Sequence, residues 1–563
     1  MKKLWKKVIS CALALGLMAG VLSGCGGGGN DDASGGGSAG TGGTQSTDTS
    51  SPGAESTGPR NMVFCVGNNN GDLSPFGGDS GGRHHTYRML YDGLCTSYGL
   101  GQPVEDLQGQ MAKSWTVVDA TTVDVEIYDY VKDSQGNPIT ASDVVYSYEQ
   151  AIAAGTNERL KGYLASIEAT GDYTLRLTMN NSNKGAMEWC LTQVPVISEA
   201  WFSSASDEEK TSSPATTGAY VLSDFVSGSH ATLTKNEDFW QTDESLRSFV
   251  DQQTFDTITM QVLAEVNMRT IGLENKELDI AYGLLASDLS TFMNDDGSPK
   301  EGWNVFADEN GRFNVLMFNN DISVFADNPK LRQAVLCAID FEAVRLGYGN
   351  MPFNGSVCHD FSPDVGSDFL DSWKDEDYFD YDVEKAKSLL TEAGYPDGGF
   401  EVTLMYQNST TATAGLTVLQ SYLAEVGITV NLMPADQALF NSYKYDDTKW
   451  DIIVDSKEIT GYVTSVWDNV FNTNAFENGS ACFTHDPKLQ ELLETATNAT
   501  TSDDAALQAF HDYLKEQAYA CGMFWNYAYY VAQDGVTEMH QDGLGNVTAS
   551  SVGVAPDYKS VTD

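Results

Sequence analysis

The amino-acid sequence predicts an α/β protein with more than one lobe. Segments 121–131 and 173–179 show the two-residue alternation of half-buried strands, and a segment with helical spacing of its apolar residues separates them. Residues 400–435 form a strand–helix–strand unit, which implies a parallel pair of strands. About 500 residues follow position 60, more than a single hydrophobic core usually serves, so two or three lobes are expected.

Each predicted element has recognisable ends. Residues 60–67 predict the first strand. The helix predicted over 140–155 begins at a cap formed by Thr140 or Ser142 and ends at Gly155. The elements expected after it are helices at 328–340, 382–394, 411–426, 485–499 and 503–522 and strands at 400–407, 427–435 and 522–532.

The N-terminus predicts a lipoprotein signal peptide over residues 1–24. Four lysines precede an apolar run from Val8 to Val21, which is too short to remain as a transmembrane helix, and small residues follow it. The sequence Leu-Ser-Gly-Cys that ends at Cys25 resembles a bacterial lipobox, in which the cysteine becomes the lipid-modified N-terminus. The alternative is an ordinary secretory signal with a chance cysteine. Cys25 is therefore the expected lipidation site.

Residues 25–60 predict a flexible tether between that cysteine and the body. Twelve of the 35 residues from 26 to 60 are glycine, and most of the others are serine, threonine, aspartate and alanine. Such a composition cannot bury enough apolar surface to offset the entropy that is lost on ordering. The root-mean-square reach of the tether is on the order of 30 Å.

The net charge of the chain argues against two classes of partner. It carries 79 acidic and 32 basic residues, a formal net charge of −47. This balance argues against nucleic acid and against anionic lipid surfaces as partners. No apolar run after the signal approaches membrane-spanning length. The seven cysteines of the body are scattered and contain no Cys-x-x-Cys pair, so the sequence predicts neither a zinc cage nor a disulfide framework.

The string GGDSGG at 77–82 contains the sequence found around the nucleophile of trypsin-like proteases. Those proteases place their histidine and aspartate before the serine, whereas no histidine precedes Ser80 in this chain. The string therefore predicts a glycine-rich loop, which suits close approach of the backbone to a ligand.

No other motif requires enzyme chemistry. Cys358 and His359 lack an orienting third group, His84–His85 is an isolated pair, and the acidic segment 371–382 lacks the spacing of a calcium loop. There is no P-loop and no dinucleotide fingerprint. We expect no catalytic residue, no metal and no cofactor. Paired glycosidase carboxylates cannot be recognised from spacing, so a hydrolase stays open as an alternative.

Residues 136–152, GNPITASDVVYSYEQAI, resemble a family signature. It is that of the family 5 extracellular solute-binding proteins of ABC importers, the oligopeptide-, dipeptide- and nickel-binding group. Further segments resemble landmarks of this family in family order, among them LSPFGG, MLYDGL, GLENKELDIAYG and NPKLRQAVLCAIDFEAV. The resemblance covers residues 60–555, essentially the whole body.

The resemblance implies a bilobal periplasmic-binding-protein (Venus flytrap) fold with an extra domain inserted in the first lobe. The expected limits are 61–89, 216–318 and 517–563 for the first lobe, 90–215 for the inserted domain and 319–516 for the second lobe. The strand predicted at 522–532 should return the chain to the first lobe.

The resemblance also implies a function. Family members enclose a solute between two lobes and deliver it to a membrane permease. It implies a monomeric receptor for an oligopeptide or dipeptide, lipid-anchored at the extracytoplasmic face of the cell membrane, with ABC permease subunits as partners and no enzymatic activity. An oligosaccharide or other small solute is the alternative within this fold. A secreted hydrolase that depends on Ser80 and a surface module that only adheres or signals are the alternatives of other classes.

The residues that the resemblance places near the ligand are Asp79 and Gly81 in the glycine-rich loop, Tyr282 and Gly283 in LDIAYG, and Trp525 and Tyr527 in the return strand. Peptide-binding members receive the ammonium group of the peptide on an acidic side chain. Where those members have glycine-tryptophan followed by aspartate, this chain has Lys457 and Glu458, and Trp467 and Asp468 come later. Glu458 and Asp468 are therefore the candidates for the ammonium group, with Trp467 as an aromatic contact.

Overall fold

The computed structural model describes most of the body of the protein. The described residues are 60–68, 73–77, 83–99, 101–284, 286–307, 312–349, 355–358, 360–376, 379–458, 461–542 and 546–563. The predicted signal peptide, Cys25 and the tether up to residue 59 lie outside them, as do Asp79 and Gly81. Among these residues, no helix has the length and apolar character needed to cross a membrane.

A seven-stranded mixed sheet forms the centre of what we name the first lobe. Across the sheet, its strands are Trp303–Ala307, Tyr529–Gln533, Ile280–Leu284, Asn61–Val66, Thr257–Val262, His230–Lys235 and Tyr220–Val226. The central strand Asn61–Val66 runs parallel to both of its neighbours. Five of its six residues are buried, as expected for a continuous apolar run with both faces covered.

A five-stranded sheet forms the centre of the second lobe. Across the sheet, its strands are Ile428–Ala435, Phe400–Gln407, Ile452–Glu458, Arg312–Phe318 and Ala520–Asn526. Hydrophobic cores lie against both faces of the sheet, one around Leu404 and Phe524 and the other around Ile453 and Trp467.

A four-stranded antiparallel sheet lies between the early strands of the first lobe. Its strands, in order, are Ala112–Asp119, Thr122–Ile127, Thr174–Met179 and Leu164–Ala169. We name this sheet, with the helices from Ala141 to Ser212, the inserted region. Val123 and Leu177 of this sheet belong to the same hydrophobic core as Phe64 of the first lobe. The inserted region therefore packs on the first lobe through a shared core.

Helices surround the three sheets. The α-helices are His84–Leu90, Ala141–Ala154, Glu158–Tyr163, Ala186–Thr192, Glu199–Ser204, Asp207–Ser212, Val266–Glu274, Pro329–Cys337, Phe341–Gly347, Val383–Glu392, Thr410–Glu425, Gln437–Tyr443, Val463–Phe471, Pro487–Thr497 and Asp504–Gln517. Short 3-10 helices cover Val104–Asp106, Glu244–Leu246, Phe249–Asp251, Ala286–Thr291, Asp371–Asp375 and Ala549–Ser551. Two small two-stranded sheets pair Cys95–Thr96 with Gln108–Gly109 and Val536–Glu538 with Gly553–Val554.

The helices and strands that residue type and spacing predict most clearly are present in the structure. Helix Ala141–Ala154 begins with a capping box between Thr140 and Asp143 and ends at Gly155, whose φ of 67° is the left-handed conformation that glycine adopts readily. Strands Phe400–Gln407 and Ile428–Ala435 pair in parallel across helix Thr410–Glu425, as the strand–helix–strand pattern predicts.

The chain crosses between the two larger sheets twice. The first crossing joins Trp303–Ala307 to Arg312–Phe318, and the second joins Ala520–Asn526 to Tyr529–Gln533. The expected single strand at 522–532 is therefore two strands in different sheets. The expected limits of the first lobe, 318 and 517, include Arg312–Phe318 and Ala520–Asn526, yet both strands hydrogen-bond within the sheet of the second lobe. Sheet membership depends on the pairing partner, which local sequence does not specify.

The seven cysteines of the body are all free thiols. They are Cys65, Cys95, Cys190, Cys337, Cys358, Cys482 and Cys521, and only Cys358 is less than fully buried. Burial raises the pKa of Cys65 to about 12, which keeps this thiol protonated and unreactive.

Candidate functional site

The two crossings place aromatic residues between the lobes. Tyr527 lies in the short segment between strands Ala520–Asn526 and Tyr529–Gln533, and its side chain packs against hydrophobic cores of both lobes. Phe313 and Trp525 are cross-strand neighbours at the ends of their strands, with ring centroids 5.1 Å apart. The predicted residues Trp525 and Tyr527 therefore lie together at this junction.

On the first lobe, Tyr282 and Gly283 form a bulge that Arg269 holds in place. The strand register shifts between Tyr282 and Leu284, and Gly283 has a φ of 78°. The guanidinium of Arg269 donates from Nη1 to the carbonyl oxygens of Tyr282 at 2.8 Å and Gly283 at 2.9 Å. Its Nε and Nη2 donate to the carbonyl oxygens of Leu263 and Ala264. Arg269 was not identified in the sequence because its partners are all backbone atoms.

The ring of Tyr282 belongs to an aromatic cluster at the end of the first-lobe sheet. Its centroid lies 4.6 Å from that of Tyr530 and 4.7 Å from that of His85, which also contacts Phe64. His85 donates from Nδ1 to the carbonyl oxygen of Val547 at 2.5 Å, so that nitrogen carries the proton. The helix of His85 begins just after the predicted glycine-rich loop. The cluster therefore packs the start of this helix against the first-lobe sheet.

A cavity of about 240 Å³ opens on the second lobe beside Phe313 and Trp525. Its lining joins aromatic rings with the carboxylates of Asp360 and Asp364 and one basic side chain, Lys374. The volume is slightly below the range of about 300–1,000 Å³ that is typical of small-molecule sites. The cavity can therefore take part of a small solute, with apolar and acidic groups both within reach.

Buried side chains fix the acidic side of this cavity. Oδ2 of Asp360 accepts a hydrogen bond of 2.8 Å from Nε2 of His511. Oδ1 of Asp360 accepts a second hydrogen bond, from the backbone N–H of Ser362. The ring of Trp373, another lining residue, stacks on His511 with centroids 4.5 Å apart and planes 9° apart. Asp360 is thus held in position by neighbours, whereas Asp364 is exposed at the rim.

A cluster of two lysines and one aspartate lies on the same sheet of the second lobe. Asp455 Oδ2 is 2.7 Å from Lys444 Nζ and 3.0 Å from Lys457 Nζ. Burial opposes the ionisation of Asp455, but the two ammonium groups hold the pKa of its carboxyl below the ordinary value. Burial lowers the pKa of Lys457. Lys457 pairs across the strands with Phe313, so this cationic cluster lies close to the junction of the lobes.

The remaining predicted residues are placed differently. Trp467 is fully buried in the second lobe, where its ring packs on Phe510 and its Nε1 donates to the carbonyl oxygen of Phe361. No part of its ring is accessible to a solute, because helix Val463–Phe471 turns its apolar face inward. Glu458 is the last residue of its strand and pairs in register with Arg312.

Asp468 faces the inserted region. Burial raises the pKa of its carboxyl, a hydrogen bond from Asn472 opposes that rise, and so does the positive charge of Arg159 in the inserted region. The structure therefore places Asp468 between the second lobe and the inserted region.

Other contacts join the second lobe to the inserted region. Ala499 donates its backbone N–H to the carbonyl oxygen of Ser182, and Lys184 donates its backbone N–H to the carbonyl oxygen of Thr497. The ammonium group of Lys184 lies 3.6 Å from Asp368. These contacts hold the second lobe directly against the inserted region.

The family model of the bacterial extracellular solute-binding proteins, family 5, matches residues 106–481, which is more than half of the chain. The chain belongs to this family. The resemblance that residues 136–152 indicate is thereby confirmed. The description of this family is that of extracellular solute-binding proteins.

Comparison with individual proteins agrees with this membership. A protein of Brucella ovis whose name describes an ABC transporter peptide-binding protein is 24% identical over 355 residues, 61% of this chain and 63% of that protein. The matched part thus spans just under two thirds of that relative. The glutathione-binding protein GsiB of Shigella flexneri is 25% identical over 387 residues, 67% of this chain and 70% of the relative.

The fold is also that of solved binding proteins. The periplasmic binding protein DppA from Helicobacter pylori, solved in complex with the peptide STSA, superimposes with a TM-score of 0.67 at 17% identity. The superposition covers 88% of this chain and 98% of that structure. The predicted periplasmic-binding-protein fold is therefore confirmed.

Proposed function

We propose that this family 5 protein is an extracytoplasmic receptor that encloses a small peptide between its two lobes and delivers it to an ABC importer. The observation that carries the proposal is the junction of the lobes, where Phe313, Trp525 and Tyr527 meet at two chain crossings beside an acidic, aromatic cavity. Two crossings allow the lobes to close around a solute by a hinge motion. The receptor binds its solute without converting it.

The chemistry of the junction supports a peptide ligand. Carboxylates such as Asp360 and Asp364 can receive an ammonium group, and the cationic cluster around Lys457 can attract a carboxylate. Aromatic walls pack on apolar side chains. The names of the Brucella and Shigella relatives and the peptide held by the Helicobacter structure point in the same direction. Aromatic faces also stack on sugars, so an oligosaccharide is the second candidate.

We assign ligand contacts to the residues that the family resemblance indicates and that the structure leaves near the junction. They are Tyr282, Gly283, Trp525 and Tyr527, with Asp79, Gly81 and Glu458 proposed from the sequence alone. We keep Asp468 as a residue that could bind the ammonium group, but only if the solute extends as far as the inserted region. Trp467 is removed from the set because its ring is enclosed.

We further propose that the receptor is a monomer held at the membrane through a lipid on Cys25. The proposal rests on the Leu-Ser-Gly-Cys sequence and on the glycine-rich segment that follows it. More than one acyl chain on the cysteine gives stable anchoring, whereas a single chain is marginal. The substitution Cys25→Ala should release the protein from membranes and abolish incorporation of labelled fatty acid.

Titration calorimetry on the full chain tests the peptide assignment. Trialanine should bind, N-acetyl-trialanine should bind at least tenfold more weakly because it lacks the ammonium group, and maltotriose should give no heat. Asp364→Asn, Glu458→Gln or Asp468→Asn, whichever carboxylate receives the ammonium group, should remove the preference for the free amine, while the exposed control Glu477→Gln should not. Equal binding of the two peptides would contradict ammonium recognition, and binding of maltotriose alone would replace the peptide by a sugar. Recovery of cleaved trialanine would favour the hydrolase.

A further inference from the structure

A second cavity, of about 760 Å³, lies in the first lobe away from the junction. We propose that it binds a small organic anion, in which a carboxylate or phosphate group is attached to a flat ring. Three separate parts of the chain form its walls: the strands around Gln108 and Trp115, the segment 245–254, and the C-terminal segment 550–554. Its volume lies within the usual range for small-molecule sites.

The sign of the charge in this cavity is opposite to that of the protein. Among the described residues, its lining contains the basic side chains of Arg60, Lys113, Arg247 and His540 and no aspartate or glutamate. The chain as a whole carries 79 acidic and 32 basic residues. A concave surface of one sign raises the local concentration of ions of the other sign. In this strongly acidic protein, the cavity is therefore a local site for anions.

Arg247 is the best-positioned of the four basic groups. Its Nε donates to the carbonyl oxygen of Gln241 at 2.9 Å and its Nη1 donates to Oε1 of Gln253 at 3.1 Å, which fixes the plane of the guanidinium. The side chain is only 10% exposed, and Nη1 lies 4.0 Å from the carboxylate of Glu244, which is 84% exposed. At this separation, and with the Glu244 carboxylate in solvent, the pair contributes little. The Nη2 group makes no hydrogen bond within the described part of the chain, so a fixed donor remains for an anion.

Acidic side chains lie close to Lys113 and His540 and partly offset the attraction of these side chains for an anion. Lys113 Nζ lies 2.6 Å from Glu126, and both side chains are about half exposed. His540 Nε2 lies 3.3 Å from Glu538 and its Nδ1 is hydrogen-bonded to the hydroxyl of Tyr98. A lysine on the surface exchanges such a partner readily because the pair is hydrated. Lys113 can therefore turn to a bound anion beside Arg247.

Aromatic side chains supply the apolar part of the site. The indole of Trp115 is held by a hydrogen bond of 3.0 Å from Nε1 to the carbonyl oxygen of Val104. The ring of Phe249 packs edge-on against Tyr98, with centroids 5.1 Å apart. Leu246, also in the lining, is 46% exposed and adds an apolar side chain to the cavity wall. Fixed rings beside a fixed guanidinium suit a ligand that has a ring next to its charged group.

Titration of the full chain with phenyl phosphate and with phenylacetate tests the site, and benzyl alcohol serves as the uncharged comparison. The two anions should bind saturably, with affinity that falls as salt is added, and benzyl alcohol should not bind. Arg247→Gln should weaken binding at least tenfold, whereas the matched control Arg176→Gln, which removes an arginine from the inserted region, should leave it unchanged. Preference between the two probes identifies phosphate or carboxylate as the natural group.

Two further variants keep the test decisive if Arg247→Gln fails to fold. Lys113→Gln changes an exposed side chain and should weaken binding about threefold. Trp115→Phe should abolish the change in tryptophan fluorescence that the probes cause, which locates the site among the 10 tryptophans of the chain. Absence of saturable binding up to millimolar probe would overturn the proposal. Binding that none of these variants alters would do the same, because it would place the anion elsewhere.

Discussion

The hydroxyl group of Tyr462 in the second lobe donates a hydrogen bond of 3.1 Å to Oε1 of Glu188 in the inserted region. Burial raises the pKa of the Glu188 carboxyl, although the hydrogen bond from Tyr462 opposes that rise. Together with the ion pair between Lys184 and Asp368, this bond connects the second lobe to the inserted region. It should therefore stabilise the conformation in which the lobes meet.

Tyr462→Phe should favour separated lobes. The substitution removes one hydrogen bond and leaves the buried Glu188 carboxyl without this donor, a change of about 1–3 kcal/mol in favour of separation. Solute affinity should fall roughly five- to a hundredfold, and calorimetry measures it. Tyr146→Phe is the matched control, because its hydroxyl bonds Ser203 within the inserted region. Equal affinity in both variants would show that the bond does not contribute to closure.

Gly283→Ala should disturb the bulge beside Tyr282. A Cβ atom at this position would lie 2.9 Å from Nη1 of Arg269, and the φ of 78° disfavours any side chain. We expect a loss of about 1–2 kcal/mol in the free energy of unfolding, and weaker solute binding as Tyr282 moves. Gly228→Ala, with a φ of 72° and open space around its Cβ, carries the backbone strain alone. Urea unfolding and solute titration of both variants separate the two effects; unchanged solute affinity in Gly283→Ala would argue against Tyr282 as a contact.

The pair Asp92 and Asp251 should make stability depend on pH. Burial raises the pKa of both carboxyls, and the charge of Asp251 raises that of Asp92 further. The folded protein then keeps a proton that the unfolded chain releases above about pH 4. The stability that this proton contributes is therefore complete below that pH and is lost as the pH rises through the raised pKa. The loss is about 1.4 kcal/mol for each pH unit that separates the pKa of the folded protein from that of the unfolded chain.

Asp92→Asn should remove this dependence, and urea unfolding between pH 4 and 8 (about the range in which a raised carboxyl titrates) measures it. The variant should gain stability relative to the wild type as the pH rises. Asp296→Asn is the control without pH dependence in this range: hydrogen bonds from Ser298 lower the pKa of the exposed Asp296 carboxyl, so its contribution to stability changes only below about pH 4. If the difference between Asp92→Asn and the wild type stays constant with pH, Asp92 does not hold the proton.

Trp525 and Trp467 should respond differently to the same substitution. Trp525→Phe alters a wall of the second-lobe cavity, so solute affinity should fall several-fold. Trp467→Phe removes a hydrogen bond to the carbonyl oxygen of Phe361 inside the core, so stability should fall by about 1 kcal/mol while affinity is retained. Paired calorimetry and urea unfolding check both; a loss of affinity in Trp467→Phe would restore Trp467 to the ligand site.

Sequence reasoning succeeds where local chemistry decides the structure. The cap at Thr140, the stop at Gly155 and the parallel strands around Thr410–Glu425 follow from residue type and spacing, and the structure has them. The return segment 522–532 shows the limit. Its continuous apolar character predicts one strand. In the structure, residues 520–526 and 529–533 pair with strands of different sheets. Those partner strands lie more than 200 residues earlier in the chain, so the local sequence does not indicate them.

The candidate site is predicted only in part for a similar reason. The sequence does not show whether an aromatic residue faces a core or a ligand, so it could not separate Trp467, on a helix, from Trp525, on a strand. Arg269 donates to backbone carbonyl oxygens, and the cluster of Asp455 and Lys457 depends on neighbours that folding brings together. No spacing rule in the sequence indicates either arrangement. Family resemblance supplied the positions of Tyr282 and Gly283, and the structure adds the bulge that defines them.

A native mass spectrum of the full chain, purified without denaturation and then mixed with trialanine, tests the central claim most directly. The account predicts a one-to-one complex, either with trialanine or with retained ligands whose masses differ by amino-acid residues, and weaker retention in Tyr462→Phe. A bare chain whose mass shifts with maltotriose and never with peptides would contradict capture of a peptide between the lobes.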